Sequence, residues 1–316
     1  MASATTSAGA QSFLRSLAAR YGNIAALQAS DVSSVLTVDA SSLSTSHLSS
    51  LFRHQHVALH VKNFLSPSAS ASFASQYSAR AALEAKNWQV STSRGLESSD
   101  VATIGTPGNV AASNPDPAEQ QAYHDEVALT LASYRASPSP HPFSLLRLLL
   151  DDLSPHGCTL RKSPSSRLPY SPGLPRLTTG PTRYRSGFIH VDDLSPLDDA
   201  RGTFSANVYL QQPAADAGFD GIPNPGGLRI WPLRYSKKDF YLNAPVLSAL
   251  TSSDPEDQAV LRQSLEGPVD ILPEAGDLVL LCVQRPHCVV GFREGQRVSL
   301  QSFLEVAEGQ PCLIDS

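Results

Sequence analysis

The feature that most constrains this chain is a change of texture at Tyr184. From there on, short runs rich in β-branched and aromatic residues alternate with turn residues, over 188–191, 204–210, 228–231, 269–272, 278–283, 288–292 and 297–304. Strand-length runs at this spacing predict an antiparallel sandwich or barrel. Two helical patterns, over 237–250 and 254–265, interrupt the series ahead of the turn signal Gly276-Asp277. Alternation sorts the last run. Arg297, Ser299, Gln301 and Phe303 fall on one face, and Val298, Leu300 and Leu304 on the other. The apolar face is predicted to meet packing helices, and the polar face to look into an interior.

The first half reads as helices. Leu48, Leu51 and Phe52 recur at helical spacing within 44–54. The run 57–64 alternates and predicts a strand. Ser66-Pro67 and Asp116-Pro117 each place a capping residue before a proline at the first helical position. They predict helices to about Lys86 and about Arg135, and a third helix covers 143–153. The stretch 154–181 is crowded with Pro, Ser and Gly and is expected to be a long loop folded as a lid, with an interdomain linker as the alternative. Residues 1–316 are thus expected to form a single domain: a helix-rich part (1–153), the loop or lid (154–181), a β core (182–306) and a tail (307–316).

Composition excludes several classes. A net charge of −5 with 17% charged residues leaves no electrostatic footprint for nucleic acid. The longest apolar run, over 278–283, is far too short to span a membrane. Four cysteines without a CxxC pair make neither a disulfide scaffold nor a structural zinc site. A cytoplasmic location is the default. The Ala- and Ser-rich stretch before Asp31, with Arg15 and Arg20, leaves organellar import as the alternative.

The chemistry resides in three stretches. His190 and Asp192 are two residues apart in a β-type run and so share a face. His287 follows the run 278–283 after a turn at Arg285-Pro286. Two imidazoles and one carboxylate on one side of a divalent ion leave its other positions open, as in the facial triad of non-haem Fe(II) oxygenases. Arg297 on an interior face needs an anion, and a guanidinium beside the Ser299 hydroxyl suits a carboxylate. Taken singly, each histidine would be read as part of the core. His54, His56 and His60 are read as structural, Cys282 and Cys288 as small buried residues, and Asp193 as a turn residue or a group that supports the neighbouring site residues from behind.

The ordered set His190-x-Asp192, His287, Arg297-x-Ser299 resembles the small-molecule branch of the Fe(II)/2-oxoglutarate-dependent oxygenase superfamily, with a fainter likeness to fungal members that modify amino acids. The resemblance covers about 180–305 and extends to Gly226-Gly227 and to the turn at 273–277. It implies an α+β fold with a mainly β core, a double-stranded β-helix of jelly-roll type with N-terminal helices packed on the sheet. It implies Fe(II) held by His190, Asp192 and His287, 2-oxoglutarate held by Arg297 and Ser299 with Asn207 and Tyr209 as further contacts, and O2 as the second co-substrate. The implied reaction couples 2-oxoglutarate decarboxylation to hydroxylation, desaturation or cyclisation of a small molecule, such as an amino acid or a derived natural product. Gln301 and Phe303 continue the arginine's face toward the substrate. Arg94, in the polar segment 88–100, and Arg229 and Trp231, near the expected mouth, are further substrate candidates. The alternatives are a 2-oxoglutarate-independent iron oxidase, a peptidyl-proline hydroxylase and a non-catalytic jelly-roll binding module.

Overall fold

The computed structural model describes residues 32, 34–92, 95–193, 195, 197–233, 255–265 and 267–316. In chain order these form β1 (Val35–Asp39), α1 (Thr45–Phe52), β2 (Ala58–Lys62), α2 (Pro67–Glu84), β3 (Lys86–Thr92), β4 (Gly95–Thr103), α3 (Gly108–Ser113), α4 (Pro117–Ala136), α5 (Pro142–Leu153), β5 (Cys158–Leu160), β6 (Leu174–Thr179), β7 (Arg201–Gln211), β8 (Leu228–Ile230), α6 (Pro255–Ser264), β9 (Val269–Ile271), β10 (Leu278–Cys282), β11 (His287–Val289), β12 (Gln296–Ala307) and β13 (Cys312–Asp315).

The helix starts follow the capping chemistry. Ser66 accepts a hydrogen bond from the Ala69 amide at 3.3 Å, and Asp116 from the Ala118 amide at 2.9 Å. The third helix begins on an unforeseen cap. His141 Nδ1 accepts from the Phe143 amide at 3.2 Å, and His141 Nε2 pairs with the Tyr77 hydroxyl at 2.6 Å. Burial and the nearby Arg80 push this imidazole down to about 3, so it stays neutral and keeps a lone pair for the cap.

The main sheet runs in the order β1-β2-β10-β7-β12-β6-β4-β3, with β13 attached to β12 and β5 to β13. A smaller sheet has the order β11-β8-β9. Parity divides the main sheet into two faces. Phe204, Ala206, Val208 and Leu210 of β7 join Leu278 and Leu280 of β10 and Val298, Leu300 and Leu304 of β12 in one core, where Leu51, Phe73, Leu146 and Leu150 of the helices pack on them. Val279 and Leu281 of β10 face the other way, with Tyr209, and meet Leu228 and Ile230 of β8 and Ile271 of β9 in a second core. Helices thus cover one face of the sheet and the smaller sheet covers the other. Ser205, Asn207, Ser299 and Gln301 take the parity of the second face.

Several expectations need correction. The segment expected as a loop or lid supplies β5 and β6, and β6 is a full member of the sheet between β12 and β4. The expected tail supplies β13, paired parallel to β5. Of the polar segment 88–100, residues 88–92 and 95–100 pair as strands β3 and β4. The run 188–191 forms no strand and only an isolated bridge, His190 to His287. The helical pattern over 237–250 lies outside the described residues, as do the first thirty positions.

Candidate metal and co-substrate site

Two distant segments are zipped together at the site. The His190 amide donates to the His287 carbonyl at 3.0 Å, and the His287 amide returns a bond to the His190 carbonyl at 2.9 Å. Two residues further on, the Asp192 amide donates to Val283 at 3.1 Å. This backbone pairing sets the side chains side by side. His287 Nε2 lies 3.4 Å from Asp192 Oδ2, and His190 Nε2 lies 3.8 Å from Asp192 Oδ1. One donor atom from each residue falls within 4.8 Å of the other two.

Both imidazoles are oriented from behind. His190 Nδ1 donates to the Phe188 carbonyl at 3.0 Å, and His287 Nδ1 to the Arg285 carbonyl at 2.9 Å. Those bonds fix the proton on Nδ1 and leave each Nε2 lone pair facing the other donors, as metal-binding histidines are commonly arranged. Burial, reinforced by His287, pushes the His190 imidazole down to about 4, so it is neutral at physiological pH. Burial alone would raise the Asp192 carboxyl, but the imidazoles of His287 and His190 at its oxygens and the positive charge of Arg176 outweigh it and hold the group below the usual carboxylate range. A neutral His190 and an ionised Asp192 have the protonation that a divalent cation requires.

The triad opens on a cavity of about 1300 Å³ whose wall includes Arg297, Ser299, Tyr209, Asn207, Gln301 and Phe303. β12 and β7 are in register here, Ser299 opposite Tyr209 and Gln301 opposite Asn207. The Arg297 guanidinium lies over the Tyr209 ring, 5.0 Å from its centroid. Tyr209 is itself held by the turn at 273–277. The Gly276 amide donates to the Tyr209 carbonyl at 2.7 Å, and the Tyr209 amide donates to Asp277 at 2.9 Å. Gly276 takes φ +101°, and a Cβ there would meet the Leu65 carbonyl oxygen at 2.6 Å, so this turn demands glycine.

Four buried polar atoms on this wall have no hydrogen-bond partner among the described residues: Arg297 Nε, Ser299 Oγ, Tyr209 Oη and Gln301 Oε1. Each such group costs about 1–3 kcal/mol when left unmet. Their concentration on one wall, around a buried guanidinium, fits a carboxylate-bearing occupant next to the triad. The donor set therefore fits both an Fe(II) ion and 2-oxoglutarate.

No protein-family model matches the chain, and no curated protein matches it. Solved structures do. The crystal structure of an N-substituted L-amino acid dioxygenase from Burkholderia ambifaria AMMD, in complex with α-ketoglutarate, is similar with a TM-score of 0.50 and 11% identity, covering 86% of this chain and 91% of that one. The chain has the fold of 2-oxoglutarate-dependent oxygenases. Further similar structures are a non-haem α-ketoglutarate-dependent carbocyclase of nogalamycin biosynthesis (TM-score 0.43, 14% identity, 87% and 90% covered) and a 2OG-Fe(II) oxygenase family oxidoreductase from Burkholderia pseudomallei (TM-score 0.41, 11% identity, 88% and 98% covered).

The remaining candidates divide. Gln301 and Phe303 line the cavity. Arg229 and Trp231 do not. Arg229 makes a forked pair with Asp270, directly opposite on β9, at 2.8 and 3.0 Å. Trp231 is 2% exposed and lies in the interior away from the cavity wall. Arg94 lies outside the described residues. His54 and His60 are buried. His60 binds Asp277 at 2.8 Å, away from the triad. Arg176, which the sequence puts in the expected loop or lid and not among the site candidates, belongs to β6 and lines the cavity opposite Ser299. The proline at position 175 disguised its strand.

No helix among the described residues is long and apolar enough to cross a membrane.

Proposed function

We propose that this chain is an Fe(II)/2-oxoglutarate-dependent oxygenase that couples decarboxylation of 2-oxoglutarate to hydroxylation, desaturation or cyclisation of a small molecule. The observation that carries the reading is the adjacency of two features in one cavity: a His-Asp-His cluster whose ligand atoms converge, and a buried Arg297 surrounded by unmet polar atoms. A binding module has no need of both. The first strand and the last share one sheet, so residues 1–316 are read as one catalytic unit.

The chemistry that iron and 2-oxoglutarate supply when bound is oxidation of a C–H bond at the expense of O2, with succinate and CO2 as co-products. His190, Asp192 and His287 would hold the ion from one side. Arg297 and Ser299 would grip the far carboxylate of 2-oxoglutarate, with the Tyr209 hydroxyl donating a further hydrogen bond and its ring supporting the guanidinium. Asn207 forms part of the same wall. The apolar second core behind these residues keeps water from the polar cluster and strengthens each charged contact.

The test is binding followed by turnover. Ni(II) and 2-oxoglutarate should each bind the purified protein with one site. With Fe(II), O2 and 2-oxoglutarate the protein should release succinate, slowly without substrate. Absence of both binding and succinate would refute the reading.

A further inference from the structure

This inference rests on the reading just given. With Arg297, Ser299 and Tyr209 assigned to 2-oxoglutarate, one buried polar atom of the wall has no task. Gln301 is 7% exposed, and its Oε1 accepts no hydrogen bond from the described residues. It stands two residues beyond Ser299 on β12, directly opposite Asn207, whose Nδ2 donates to Ser205 Oγ at 3.0 Å. A buried acceptor facing a cavity calls for an N–H or O–H donor.

The neighbouring strand adds charge. Arg176 of β6 is in register opposite Ser299 and lines the same cavity. It has contacts within the protein, and its guanidinium carries five N–H donors in a planar fork that matches a carboxylate. Its charge acts on both Asp192 and Arg297, so it stands near the triad and the co-substrate arginine. Strand spacings put the Cα atoms of Arg176 and Gln301 about 8 Å apart, a span that one small molecule can bridge.

We propose that the substrate is a small amino or amido acid, its carboxylate on Arg176 and its N–H on Gln301 Oε1, with Phe303 beside its apolar part. The two contacts fix both ends of the polar head and so set which carbon is presented to the triad.

The experiment loads the whole protein with Ni(II) and 2-oxoglutarate and measures probe binding by ligand-observed NMR. The probes are the proteinogenic L-amino acids and their N-acetyl forms, the methyl esters of both, and the corresponding desamino acids. At least one acid should bind about tenfold or more tighter than its ester and its desamino analogue. Arg176→Met should level acid and ester, and Gln301→Leu should level acid and desamino acid. Arg176→Gln and Gln301→Met replace these if either variant does not fold. Esters binding as tightly as acids, or no probe binding while Ni(II) and 2-oxoglutarate remain bound, would overturn the inference alone. Failure of the wild-type protein to bind Ni(II) and 2-oxoglutarate would overturn the oxygenase reading and this inference with it.

Discussion

Asp277 offers the sharpest test of how the site is held. Its carboxylate accepts four hydrogen bonds: from His60 Nε2 at 2.8 Å, Lys62 Nζ at 3.1 Å, the Glu274 amide at 2.9 Å and the Asn63 amide at 3.2 Å. It is 2% exposed. Burial by itself would raise its pKa, but the donors win and bring it from the ordinary 3.8 down to about 2. At about 1.4 kcal/mol per pH unit this corresponds to between about 2 and 3 kcal/mol of folding stability. The folded value is the lower one, so the contribution is complete above the unfolded value and fades as pH falls from about 4 toward 2. Asp277→Asn keeps the shape and removes the charge. It should cost about 2–3 kcal/mol at pH 7 in urea unfolding, and the gap between wild type and variant should close as the pH is lowered to 2. The variant should also weaken 2-oxoglutarate binding, because Asp277 and Gly276 hold the Tyr209 backbone. A gap below about 0.5 kcal/mol at pH 7, or one that stays constant down to pH 2, would refute the reasoning.

Four other predictions stand apart from this one. His287→Ala should abolish Ni(II) and Fe(II) binding in calorimetry while the circular dichroism spectrum is retained. Arg297→Ala should weaken 2-oxoglutarate binding by about a hundredfold or more, with metal still bound, since it removes one partner of a buried charged contact; equilibrium dialysis reads it. Gly276→Ala should lower stability by about 1–3 kcal/mol through its positive φ and the Leu65 clash, measured by thermal unfolding. All four cysteines are free and buried, so a thiol reagent should react slowly with native protein and promptly with four groups in denaturant.

Much of this arrangement was legible because it is local. The alternation in 297–303 placed Arg297, Ser299, Gln301 and Phe303 on one wall, and the cap-proline pairs located two helices within a residue or two of their ends. What depended on partners was not. β6 contains Pro175, a residue that argues against a strand, yet its carbonyl takes the Ile104 amide and Pro175 stands opposite Leu300. β13 is four residues long and exists because β5 and β12 flank it. Arg229 looked available to a ligand because Asp270, distant in sequence, is its cross-strand neighbour. The members of the His-Asp-His cluster were readable as candidates from residue type and order, but the zipped backbone that aligns them was not, since 188–191 imitates a strand.

That pairing has a consequence for handling the protein. The two imidazoles are held in place by hydrogen bonds between the amides and carbonyls of their own main chains, so the pocket's geometry does not wait for an ion to gather it. Chelator-treated material should keep its melting behaviour nearly intact and take up metal again without refolding, which makes exchange among Fe(II), Ni(II) and Zn(II) a practical way to trap complexes.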